Sequence, residues 1–130
     1  MKLFLFICIL IAFVPSPKGG YTLLSPADFD ERISTNSTGI ILDVRLYDDY
    51  SKSIIKDAVW AGEKRVLLKV LKDVDKEQNI YLYCYEGRTR GKAVIGILLD
   101  MEYKNIFFLK GGFNSWVKRD FETDKSIISK

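Results

Sequence analysis

The segment Tyr83-Cys-Tyr-Glu-Gly-Arg-Thr-Arg90 joins a strand-like apolar run to a helix-like amphipathic one. Cys84 therefore ends a strand, and a helix begins about six residues later. Parallel α/β sheets bind their ligands at the carboxyl ends of strands. A short glycine-containing loop there can aim its backbone N–H groups inward, at the positive end of the following helix. Gly87 is suited to the positive φ that such a loop needs. Tyr85, Glu86, Gly87, Arg88, Thr89 and Arg90 would then form an anion cradle with the Cys84 sulfur at its floor. The same dipoles, together with Arg88 and Arg90, favour thiolate over thiol and make Cys84 a nucleophile without a partner base. A structural cysteine before an ordinary helix start fits these residue types equally well. Solvated helix-start charges likewise remain open for the two arginines.

Composition limits the alternatives. The 130 residues suffice for one compact domain, and 48% apolar with 28% charged residues describes a chain that buries a core. There is no histidine, which removes His-based metal sites, Ser–His or Cys–His pairs and a His general base. The net charge of +3 is mild, and no basic stripe interleaved with aromatics suggests nucleic acid.

Residues 1–20 read as an export signal. Lys2 is followed by the apolar run Leu3 to Val14, which Pro15-Ser-Pro-Lys-Gly-Gly20 breaks. That run is too short to span a bilayer as a helix, which takes about twenty residues. The expected location is periplasmic or secreted, with no stable membrane span once the signal is removed. Ile7 before Cys8 is not small, so Cys8 does not read as a lipid-attachment site. Removal of the signal would leave Cys84 as the only cysteine, a lone thiol without an internal disulfide partner.

The elements that must position Cys84 follow from periodicity. Tyr21 to Leu24 reads as a short strand. Ser25-Pro-Ala-Asp28 opens a helix to about Ile33, with Ser25 as cap, Pro26 in the first helical position and Asp28 at the positive end. Thr35 to Gly39 reads as a loop, and Ile40 to Val44 as a strand buried on both faces. Ala58 to Ala61 reads as a small strand. Glu63 to Val74 is helical, with Val66, Leu67, Val70, Leu71 and Val74 inward. Asn79 to Cys84 and Asn105 to Leu109 read as strands. Between them, Arg90 to Met101 is a helix with Ala93, Val94, Ile97, Leu98 and Met101 facing in. Gly111-Gly112 is a turn before a last helix, Phe113 to Arg119. Strands alternating with helices predict an α/β fold with a mainly parallel central sheet and helices on both faces. The domain spans 21–120, and 121–130 form a polar, flexible tail.

Three motifs in one order resemble the rhodanese family. Cys84-Tyr-Glu-Gly-Arg-Thr is similar to its active-site loop, a Cys, two variable residues and a Gly. Asn105 to Trp116 (NIFFLKGGFNSW) resembles the family's closing strand and its Leu-Lys-Gly-Gly-Phe-x-x-Trp signature. Asp43-Val-Arg45 matches its Asp-Val-Arg, and Asp49-Tyr50 stands where the family has an acidic residue and an aromatic. The signal and the single short domain resemble the small periplasmic rhodaneses. One departure is Ser53-Ile-Ile-Lys-Asp-Ala58, where the family usually reads Gly-His-Ile-Pro-Gly-Ala. The resemblance implies a sulfurtransferase that takes a sulfane sulfur from a donor such as thiosulfate. Cys84 would carry it as a persulfide, held by the loop amides, and pass it to cyanide or a thiol. It implies no metal and no organic cofactor, and it leaves room for a redox or sulfur-carrier protein as partner. Arg88 and Arg90 would hold an anionic group, Asp43 and Arg45 would support the loop as an ion pair, and Phe113 and Trp116 would belong to the core.

Two rivals stand beside this reading. Cys84 and Arg90 also have the Cys-x5-Arg spacing of cysteine phosphatases, although Tyr83 and Gly91 replace the His and the hydroxyl residue usual there. Alternatively, the fold serves as a sulfur-carrying or protein-binding module with little turnover.

Overall fold

The computed structural model describes residues 20–35 and 38–126. The segment read as an export signal lies, except for Gly20, outside the described residues, as do residues 36, 37 and 127–130. No helix among the described residues is long and apolar enough to cross a membrane.

Five strands alternate with five helices: β1 (Thr22–Leu24), α1 (Pro26–Thr35), β2 (Ile40–Asp43), α2 (Tyr47–Lys52), β3 (Val59–Trp60), α3 (Lys64–Leu71), β4 (Asn79–Tyr83), α4 (Thr89–Asp100), β5 (Asn105–Leu109) and α5 (Gly112–Lys118). The strands form one sheet in the order β1-β5-β4-β2-β3, and every pairing between them is parallel. The α/β architecture expected from the alternation is thus present, with β4 at the centre.

Strand side chains alternate between two cores, as the two-residue period requires. On one face Leu42, Ile80, Leu82, Ile106 and Phe108 meet Leu67 and Leu71 of α3 and Ile95 and Leu98 of α4, and Cys84 belongs to this cluster. On the other, Tyr81, Tyr83 and Leu109 meet Phe29 of α1 and Phe113 and Trp116 of α5. Each large apolar side chain buried in this way stabilises the fold by about 1.5–3 kcal/mol. Phe113 and Trp116 are core residues, as expected. Helix α1 starts where the cap residues place it: the Asp28 N–H donates to Ser25 Oγ at 3.2 Å.

Three details differ from the sequence reading. The buried face of α4 is Gly91, Ile95 and Leu98. Val94, Ile97 and Met101 only half-bury against the same core, and Ala93 is exposed. The cause lies at Gly91, where an added Cβ would run into the Phe108 ring; the missing side chain lets the helix start approach the sheet and sets its rotation. Helix α2, absent from the sequence reading, carries no buried residue and only Tyr50 packs on the second core, so no apolar stripe announces it. The third concerns the expected tail. Residues 121–126 lie along the body: Ile54 and Asp124 exchange backbone hydrogen bonds of 2.9 and 2.7 Å, and Phe121 packs on Trp116 with ring centroids 4.8 Å apart. Trp116 Nε1–H donates to the Glu122 carbonyl at 2.8 Å, so this stretch has partners that its polar composition does not advertise.

Candidate active site

Cys84 follows the central strand, 3% exposed. Next to β4, the Val44 N–H donates to the Tyr83 carbonyl at 3.0 Å, so the chain leaving β2 runs beside the cysteine. An open cleft of about 550 Å³ lies here, lined by Cys84, Tyr85, Glu86, Arg88, Thr89 and Arg90 from the loop and by Arg45, Leu46 and Asp49 from the β2–α2 segment.

The direction of the loop peptides follows from their carbonyls. Those of Cys84 and Tyr85 accept hydrogen bonds, both 2.9 Å, from the N–H groups of Phe113 and Asn114 in α5. In a trans peptide the N–H points opposite to the C=O, so the N–H groups of Tyr85 and Glu86 are turned away from α5. None of the N–H groups of residues 85–90 donates to an acceptor among the described residues. Gly87, at φ 72°, completes the turn. This is a run of free donors beside a buried sulfur, where unmet hydrogen-bonding capacity favours an anionic ligand or a developing negative charge.

Glycine is required across from the loop as well. A Cβ on Gly112, whose φ is 61°, would stand 2.5 Å from the Cys84 carbonyl oxygen and 2.7 Å from the Gly87 nitrogen. Gly112 is therefore what lets α5 close on the cysteine loop. Gly91 does the same from α4, where a Cβ would lie 3.2 Å from Cys84 Sγ.

Asp43 and Arg45 form an ion pair below the cleft. The guanidinium grips the carboxylate through Nε at 3.0 and 3.1 Å and through Nη2 at 2.6 Å, and Nη2 also donates to the Ser53 carbonyl at 2.6 Å. The Tyr83 hydroxyl donates to Asp43 Oδ2 at 2.8 Å and accepts from the Ile55 N–H at 3.1 Å. Phe113 covers the guanidinium carbon at 3.9 Å from its ring centroid, a cation–π contact in a desolvated place. Burial opposes the charged guanidinium, but the hydrogen bonds and charge of Asp43 outweigh it and hold the pKa of Arg45 above its ordinary value. Burial and the Asp43 charge push the Tyr83 hydroxyl far up, so it stays a donor throughout the physiological range.

Cys84 is thus brought together with all the loop residues expected around it. Gly87 contributes backbone geometry rather than lining, and Asp43 lies behind Arg45. Arg88 and Arg90 are exposed at the rim and pair with no carboxylate among the described residues. The tertiary structure adds Leu46 on the cleft wall, Tyr83 on the ion pair, Gly91 against the sulfur and Gly112 against the loop. Only Gly112 carried a readable signal, as part of a Gly-Gly pair.

A family model described as the rhodanese-like domain matches residues 25–119. The chain belongs to that family. Over 77 residues it is 31% identical to the thiosulfate sulfurtransferase GlpE of Coxiella burnetii, an alignment spanning 59% of this chain and 70% of that protein. The fold of this rhodanese-like domain is similar to that of an Anabaena sp. rhodanese-like domain, with a TM-score of 0.72, 19% identity and 83% and 82% of the two chains covered. It also resembles a rhodanese-related protein from Thermoplasma volcanium, with a TM-score of 0.68, 21% identity and coverage of 82% of this chain and 100% of that one.

Proposed function

We propose that the protein is a sulfurtransferase in which Cys84 takes a sulfane sulfur from a small anionic donor such as thiosulfate and hands it to cyanide or a thiol. The observation that carries this reading is the position of the Cys84 sulfur beside a run of unpaired loop N–H groups, with Arg88 and Arg90 at the mouth. In the first displacement the Cys84 thiolate attacks the outer sulfur of the donor. The new Sγ–S bond replaces the donor's S–S bond, and sulfite leaves. In the second, the acceptor attacks the outer sulfur and Cys84 departs as thiolate. Both steps move negative charge within reach of the loop amides, where each good donor stabilises the transition state by about 3 kcal/mol. The arginines suit the sulfonate end of the donor through charge-assisted hydrogen bonds. Neither step requires a general base, in keeping with a chain that has no histidine.

Incubation of the reduced protein with thiosulfate alone is expected to add the mass of one sulfur atom, located on Cys84 by peptide mapping. Turnover is expected when cyanide is added, and hydrolysis of an aryl phosphate is not. Sulfur loading without turnover would favour a carrier module, whereas aryl phosphate hydrolysis without loading would favour the Cys-x5-Arg phosphatase.

Export is part of the proposal and rests on Lys2 and the apolar run Leu3 to Val14. Expression of the full chain in a bacterial host should give a periplasmic product shortened at its N-terminus. A full-length cytoplasmic product would remove this part and leave the chemistry untouched.

A further inference from the structure

A second groove, of about 420 Å³, runs beside the cysteine cleft and shares Glu86 and Arg88 with it. Its far side is formed by Lys118 and Arg119 at the end of α5, over a floor that includes Gly111 and Ser115. Arg88, Lys118 and Arg119 are all exposed, and none makes an ion pair or side-chain hydrogen bond among the described residues. Three unpaired cations thus face one carboxylate along a trough that adjoins the cleft holding Cys84. A small donor or cyanide fits within the cleft and has no use for the trough. A longer acceptor does, because a chain lying along it continues past Glu86 and Arg88 into the cysteine cleft.

From this we infer that the trough docks an extended acidic segment of an acceptor protein and presents that protein's thiol to sulfur-loaded Cys84. The inference rests on the proposed sulfurtransferase reading and names the acceptor's chemistry. The acceptor thiolate attacks the outer sulfur of the Cys84 persulfide, the Sγ–S bond breaks, and Cys84 leaves as thiolate while the acceptor gains the persulfide. No oxidant or reductant is consumed. The cations act on encounter, since complementary charge at the rim of a site raises association rates and makes them salt-dependent.

The test uses thiosulfate-loaded protein and two reduced cysteine peptides, one glutamate-rich and one lysine-rich, with sulfur arrival on each followed by mass. At low salt the acidic peptide is expected to accept sulfur roughly tenfold faster than the basic one. The difference should collapse near 1 M salt, where the screening length is about 3 Å. The double variant Lys118→Glu/Arg119→Glu should lose or invert the preference, while its kcat for thiosulfate-to-cyanide transfer persists. An unchanged preference in that variant, or none in the unaltered protein, would overturn the docking inference while cyanide turnover left the sulfurtransferase reading standing. Failure of Cys84 to load sulfur at all would remove both.

Discussion

Cys84→Ser is expected to lower thiosulfate-to-cyanide transfer by on the order of a thousandfold or more, the scale seen when a covalent nucleophile is removed. The smaller oxygen fits the site, where Cys84 is almost fully enclosed and Gly91 stands against its sulfur. It is not ionised near neutrality, however, and no histidine exists to take its proton. The hydroxyl therefore sits in the right place in the wrong protonation state. Thermal unfolding should move little, because the substitution adds no volume to a packed site and leaves the loop's carbonyl bonds to α5 in place. A Cys84→Ser variant that kept a tenth of the activity would show that the sulfur travels by another route.

The largest expected effect on stability is that of Asp43→Asn. Asp43 is fully buried and Arg45 nearly so, and the carboxylate answers the guanidinium through three hydrogen bonds. An amide in its place has no charge to return, and its NH2 end turns a donor toward a donor. Removing one partner of a buried pair leaves the other uncompensated, at a cost of about 3–5 kcal/mol. For a domain of this size that corresponds to a fall in Tm of roughly 10 °C or more. Asp43→Asn combined with Arg45→Met should recover most of the loss, because the buried charge is then gone as well. Recovery of fold without recovery of activity would show that the cleft needs the pair for more than stability, as expected where Arg45 itself lines the wall. A Tm within about 3 °C of the unaltered protein for the single variant would contradict the uncompensated-charge argument on which the prediction rests.

Features with local causes are legible in the chain alone. Strands β4 and β5 are legible because Ile80 to Tyr83 and Ile106 to Leu109 are short continuous apolar runs, as strands buried on both faces require. The start of α1 is legible because Ser25 caps it within one turn. Cys84 at a strand end before a glycine loop is visible for the same reason, since the break between two periodicities lies in the chain itself. Features that join distant residues wait for the packed molecule. The turn of the loop carbonyls toward α5 requires Phe113 and Asn114, nearly thirty residues downstream. The rotation of α4 is set by Phe108 meeting Gly91, so counting apolar residues along the helix places Ala93 inside when it is exposed. The Asp43–Arg45 pair is expected from the family motif, but the Tyr83 hydroxyl and the Phe113 ring that close around it come from distant parts of the chain. The docking of residues 121–126 depends on backbone groups of Ile54 that pair with Asp124 across seventy residues of chain. Periodicity reports which side of an element is apolar; which backbone donors stay unpaired depends on where distant carbonyls go, and that is fixed by packing.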